Sequence, residues 1–196
     1  MFVQTIQGRL RDPERFRAQG ERWNAELRPG ATGFLGSTSG VTADGTGFVA
    51  VRFASEADAR ANSERAEQGA WWAEMEPAFA DITFRDCADV DELMGGGSDE
   101  AGFVQVIQGR VKDQASARQM LHDMTPQLAE DRPDVLGGVM AWHGDDGAFT
   151  QIMYFRSEAA ARAGEASEAD EETDRQYRDI MAAEPTFLDL TDPVYA

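Results

Sequence analysis

Phe2-Val-Gln-Thr-Ile-Gln-Gly-Arg9 returns as Phe103-Val-Gln-Val-Ile-Gln-Gly-Arg110, with only Thr5 and Val106 differing. Asp12 and Asp113 follow at the same offset. Phe53-Ala-Ser-Glu-Ala-Asp-Ala-Arg60 then matches Phe155-Arg-Ser-Glu-Ala-Ala-Ala-Arg162, and Glu76-Pro-Ala-Phe79 echoes Glu184-Pro-Thr-Phe187. Three matches in one order mark a duplication, so the chain reads as two copies of one α+β unit. Between them Met94-Gly-Gly-Gly-Ser-Asp-Glu-Ala-Gly102 offers little to pack, and reads as a linker. The expected division is a first unit over 1–94, a linker over 95–101 and a second unit over 102–196.

Each copy opens with a strand. Phe103, Gln105, Ile107 and Gly109 point one way; Val104, Val106, Gln108 and Arg110 point the other. Both faces are partly apolar, so both are expected to be covered, one by helices and one by a second sheet. A helix follows, with Asp12 as N-cap and Pro13 at the first position, where no N–H is needed. Phe16, Trp23 and Leu27 share one face; Ala117, Leu121, Met124 and Leu128 are the matching set. Pro126 is expected to kink the second copy's helix.

A hairpin comes next, with Asp-Gly turns at Asp44-Gly45 and Asp146-Gly147, because glycine tolerates positive φ. A second helix starts at Ser55 and at Ser157, and a last strand covers Ile82–Cys87 and Thr186–Leu190. The order β-α-β-β-α-β is the split βαβ, ferredoxin-like pattern.

Composition narrows the function classes. The net charge of −18 argues against nucleic acid and anionic membrane surfaces as partners. No apolar run is long enough to span a bilayer, and the N-terminus lacks the pattern of a signal peptide. Cys87 stands alone, and with two histidines it cannot build a common zinc site, so no metal and no cofactor are expected. A cytoplasmic location is the simplest expectation.

Topology, unit length and an Ala-, Glu- and Arg-rich second helix together resemble the antibiotic-biosynthesis-monooxygenase-like (ABM) family of the dimeric α/β-barrel superfamily. The resemblance implies that the two antiparallel sheets pair into a barrel within one chain, an intramolecular pseudo-dimer, with further self-association left open. It also implies a small-molecule ligand in a pocket between the sheet and the helices of one unit. Some members oxidise phenolic or anthrone-like substrates with dioxygen and no cofactor; others degrade haem or act on quinols. Haem degradation needs an axial histidine on the second helix, and neither copy has one.

Trp71 and Trp72 lie where the family places pocket residues, and with Asn62 they are the candidate catalytic, substrate-orienting groups. Packing is the favoured alternative for the tryptophans, one in the core and its neighbour covering the domain edge. Gln4, Gln7, Gln105 and Gln108 are shared by both copies, and either line a pocket or tie the barrel seam. Trp142, Tyr154 and Tyr177 are candidate binding residues of the second copy, with strand packing as the alternative for the first two. Two functions stay open: a cofactor-independent monooxygenase acting on a phenol or enol whose anion the site favours, or a non-catalytic ligand-binding or stress-related module with the second unit as structural partner.

Overall fold

The computed structural model describes residues 1–167 and 171–196. In chain order the elements are β1 (Phe2–Leu10), α1 (Pro13–Arg22), β2 (Phe34–Val41), β3 (Thr46–Phe53), α2 (Glu56–Ser63), α3 (Ala66–Met75), β4 (Phe79–Cys87) and β5 (Asp89–Leu93). They continue with β6 (Phe103–Arg110), α4 (Gln114–Asp131), β7 (Val135–Trp142), β8 (Ala148–Phe155), α5 (Glu158–Ser167), α6 (Glu171–Ile180), β9 (Thr186–Leu190) and β10 (Val194–Tyr195). No helix among the described residues is long and apolar enough to cross a membrane.

The chain forms two compact units, one of Met1–Ala88 with Pro193–Ala196 and one of Asp89–Asp192. Each holds an antiparallel five-stranded sheet, in the order β10-β2-β3-β1-β4 and β5-β7-β8-β6-β9 respectively. The split βαβ order is present twice. Two short edge strands are added: β10 pairs with β2, and β5 pairs with β7. The stretch 95–101 lies inside the second unit, where Gly96 N–H closes a turn onto Leu93 O after β5.

Registers coincide between the units. Val3 faces Arg52 and Cys87; Val104 faces Tyr154 and Leu190. The second strand slips by one residue at the same place, between Phe34 and Gly36 and between Val135 and Gly137. The third sequence echo does not survive this comparison. Phe79 sits opposite Leu10, whereas Phe187 sits opposite Ile107, the position that Phe84 occupies against Ile6.

The expected caps form. Asp12 and Asp113 carboxylates accept from the N–H groups of Arg15 and Ser116, and Ser55 accepts from Asp58 N–H. Gly45 and Gly147 adopt positive φ at the hairpins. Phe16, Trp23 and Leu27 are buried together, but α1 gives way to a π-helical turn over Trp23–Leu27. In α4, Ala117 is buried and Leu121 and Leu128 partly so, while Met124 is exposed. Helix α4 remains continuous through Pro126. The single second helix expected in the first unit is split into α2 and α3, because Arg65 between them has extended backbone.

Two packing details yield predictions. A Cβ on Gly137 would lie 2.1 Å from the Gly96 carbonyl oxygen, a backbone atom that cannot move aside. Gly137→Ala is therefore expected to cost about 1–3 kcal/mol, read as a lower denaturation midpoint. Gly69 in α3 has open space around it, and Gly69→Ala should instead add about 0.5–1 kcal/mol.

Arg132 holds Asp134 through paired bonds of 2.9 and 2.8 Å, both side chains being largely buried. The hydrogen bonds from Arg132 keep the Asp134 carboxyl below its ordinary range, against the opposing effect of burial. A carboxylate depressed in the folded state adds stability above its ordinary range near pH 4, and loses it as pH falls through its lower folded value. Asp134→Asn should therefore cost about 2 kcal/mol at neutral pH, with the difference from the native protein closing in acid.

Candidate functional site

Register decides which side chains of the first sheet face its helices. Phe34, Val41, Val49, Leu10 and Ile82 pack with Phe16, Trp23, Leu27 and Trp71, so theirs is the helix-facing side. Ser37 and Ser39 share that side, being opposite Val51 and Val49 in the β2–β3 pairing. The same alternation adds Gln4 and Ile6 from β1, and Asp86 and Phe84 opposite them on β4.

Burial on this side is incomplete. Gln4, Ser37, Ser39, Val49 and Val51 are only partly buried, and Phe84 is 50% exposed. The reverse side is better covered: Val3, Thr38, Phe48, Ala50, Arg52 and Cys87 are all buried. A sheet centre beneath helices would ordinarily be its driest part. We take this partial exposure to mark the candidate cleft, with Gln4, Ser37, Ser39, Val49 and Val51 as its floor. Trp72, half-buried, stands beside it with its ring 5.2 Å from that of Phe84.

The second unit differs at two places on the equivalent side, while Ile107 and Gln151 stay partly buried and Phe187 is 53% exposed. Opposite Gln151 and Met153 on β8 lie Met140 and Gly138, in the places of Ser39 and Ser37. Met140, Met153, Trp142 and Phe149 are all buried there. Two buried methionines thus stand where the first unit has a partly buried serine (Ser39) and valine (Val51). Separately, a shallow groove of about 520 Å³ runs along the outer face of α2 between Ser55 and Glu64. It is built from one helix's surface residues, and no side chains converge on it from other elements.

The glutamines that recur in both units have a shared structural task. Gln4 Nε2 donates to Asp86 at 2.8 Å, and Gln105 Nε2 donates to Asp189 and Glu165 at 3.2 Å each. The amides tie β1 to the edge strand β4 and β6 to the edge strand β9. Arg162 completes the second cluster by bonding Asp189 and standing over the Phe103 ring. Arg60, its sequence counterpart, instead pairs with Glu56 on the helix surface. Asp86 is exposed and, among the described residues, has no cationic partner within salt-bridge distance. Gln7 and Gln108 lie on the opposite side of their strands from Gln4 and Gln105.

Trp71 is 8% exposed and its indole N–H donates to the Gln19 carbonyl at 2.8 Å. Asn62 is buried, and its Oδ1 accepts from Arg65, which also bonds the Leu27 carbonyl. Asn62 therefore helps fasten the α2–α3 junction to the π-helical turn. In the second unit Trp142 is buried, donates to Asp91 at 2.8 Å and lies under Arg118. Tyr154 is fully buried on the side of its sheet facing away from the helices. Tyr177 on α6 is partly exposed, and partial burial raises its phenol above the ordinary value.

Neither histidine extends this picture: His122 is exposed on α4, and His143 bonds the Thr150 hydroxyl. Among the described residues no three His, Cys, Asp or Glu side chains are grouped to hold a metal ion. The sequence reading passed over Ser37 and Ser39, which matter only once the register shows them opposite bulky counterparts. It also passed over Asp86, whose clue was its place within the strand Ile82–Cys87, where the register sets it opposite Gln4.

Geometry separates the adjacent tryptophans. Trp71→Phe should lower stability by about 1–3 kcal/mol, through the lost hydrogen bond and the smaller ring. Trp72→Phe should cost less than half as much, since Trp72 is only half-buried. Denaturant titration of the two variants checks this ordering.

No family model matches the sequence, and no curated protein does. Solved structures do. A protein from Fusobacterium nucleatum subsp. nucleatum, named as a candidate monooxygenase, superposes with a TM-score of 0.79 at 10% identity, over 96% of this chain and 90% of that one. An anthrone oxidase-like protein gives a TM-score of 0.64 at 16% identity, covering 100% and 93%. A Listeria monocytogenes ferredoxin-fold protein described as related to antibiotic biosynthesis monooxygenases gives 0.53 at 9% identity, covering 96% and 92%. At such identities the likeness is one of fold: the chain carries, twice over, the ferredoxin-like fold of proteins related to antibiotic biosynthesis monooxygenases.

Proposed function

We propose that the protein binds a small aromatic phenol or enol in the helix-side cleft of its first unit and oxidises it with dioxygen, without a cofactor. The observation that carries this reading is the exchange at matched positions of buried Met140 and Met153 for the partly accessible Ser39 and Val51. Trp72 and Phe84 supply aromatic surface for a flat ligand, and the floor mixes hydroxyl, amide and aliphatic groups as a ligand site does. Asp86 gives the cleft a carboxylate that no described cation neutralises, suited to receive a proton from an acidic phenol. The anthrone oxidase-like neighbour makes this the activity to test first.

In such a reaction the substrate is its own electron source. A ring CH2 activated by the phenol or enol loses both hydrogens and gains one oxygen of O2 as a carbonyl, while the other oxygen leaves as water. Binding, proton acceptance and exclusion of water are then the tasks of the chain's residues. Trp71 and Asn62 act behind the cleft by fixing α3 and the π-helical turn. The second unit is the structural partner.

One observation favours ligand binding without turnover: Asp86 is solvent-exposed, so bulk water competes with a bound phenol for its carboxylate. Oxygen uptake separates the readings. With anthrone-like phenols, Ser39→Met/Val51→Met should lose both ligand-induced thermal stabilisation and oxygen uptake. Asp86→Asn should keep the stabilisation and lose at least tenfold in uptake. Stabilisation by phenols with no uptake in the native protein would establish the binding-only reading. A filled-cleft variant that still binds would sink the site assignment.

A further inference from the structure

The turn over Trp23–Leu27 is π-helical, a feature that recurs at functional sites. It carries Asn24, whose Nδ2 lies 3.5 Å from the Tyr195 carbonyl on β10, the strand that flanks β2. Asn24 is thereby tied to the short strand whose Val194 lies opposite Ser39 of the floor.

The amide orientation is constrained. A carbonyl neighbour repels Oδ1 and attracts the amide nitrogen, so Nδ2 belongs toward Tyr195. Oδ1 then points elsewhere. It is buried from solvent and has no hydrogen-bond partner among the described residues. A buried acceptor left unmet costs free energy, and native proteins seldom keep one without a use.

The second unit has neither feature. Its α4 is regular throughout, and the position matching Asn24 is Thr125, whose hydroxyl bonds the Leu121 carbonyl of its own helix. The π-helical turn and the unmet acceptor therefore occur in the unit with the accessible floor.

We infer that Asn24 is a specificity-determining residue of the first unit's cleft, its Oδ1 accepting a hydrogen bond from a ligand hydroxyl. This rests on the cleft reading above and sharpens it: the ligand must present an O–H, a neutral phenol or enol, at the β2 side. Any oxygen that ionises lies at another position of the ring system, toward Asp86.

The test compares a phenol such as 2-naphthol with its methyl ether, which cannot donate, by calorimetric titration of the full chain. The native protein should favour the phenol at least tenfold. Asn24→Leu should bring that ratio close to one, while Asn24→Asp, which keeps an acceptor, should retain it. A purely structural role would lower thermal stability and leave the ratio untouched, which overturns the inference. Equal affinity of phenol and ether for the native protein also overturns it, while leaving the cleft intact. If Asn24→Leu does not fold, the native ratio and the Asn24→Asp ratio decide alone. Failure of both compounds to bind the native protein would instead remove the cleft reading and this inference with it.

Discussion

Once β2 is hydrogen-bonded to β3 in its observed register, Ser37 and Ser39 must face the helices, and Thr38 must face away. The same constraint places Gly138 and Met140 toward the helices of the second unit. With the strand registers alike, the larger side chains at Met140 and Met153 are buried where Ser39 and Val51 stay partly accessible. The helices of the two units differ as well. Helix α1 ends in a π-helical turn, whereas α4 runs on regularly.

The strongest polar contacts on the helix side work to preserve this geometry. Gln4–Asp86 and Gln105–Asp189 repeat one amide–carboxylate pair at equivalent places, pinning β1 to β4 and β6 to β9. In the second unit Arg162 joins the pair and covers Phe103, which turns a strand clamp into a closed cluster. In the first unit the carboxylate remains unneutralised by any described cation. A duplicated contact is thereby an exposed pair in one copy and a closed cluster in the other. The buried, hydrogen-bonded Trp71 and Trp142 show the same economy: each large aromatic has its polar edge satisfied inside the fold.

Much of the fold was legible in the residues because its signals are local. The strand repeats, the Asp12 and Asp113 caps and the Asp-Gly hairpins act over a few positions, and the structure contains all of them. The edge strands were not legible. Asp89–Leu93 is short and acidic, like a loop, and becomes a strand only because β7 offers an open edge. Val194–Tyr195 is even shorter, and its partner β2 is distant in sequence. The break between α2 and α3 and the π-helical turn likewise depend on tertiary bonds, chiefly those of Arg65 to Asn62 and the Leu27 carbonyl. The candidate site was legible only in outline. Trp72 and Gln4 were visible as residue types, but the importance of Ser39 lies in a comparison with Met140 that needs the register.

The most direct measurement is the anomalous scattering of a bromophenol soaked into crystals of the full chain. The account predicts a bromine peak over Ser37, Ser39 and Val49 in the first unit, and none over Met140 and Met153 in the second. Bromine in the second unit's core, or equal occupancy of both units, would contradict the claim that side-chain volume at these matched positions has made one copy the binding unit.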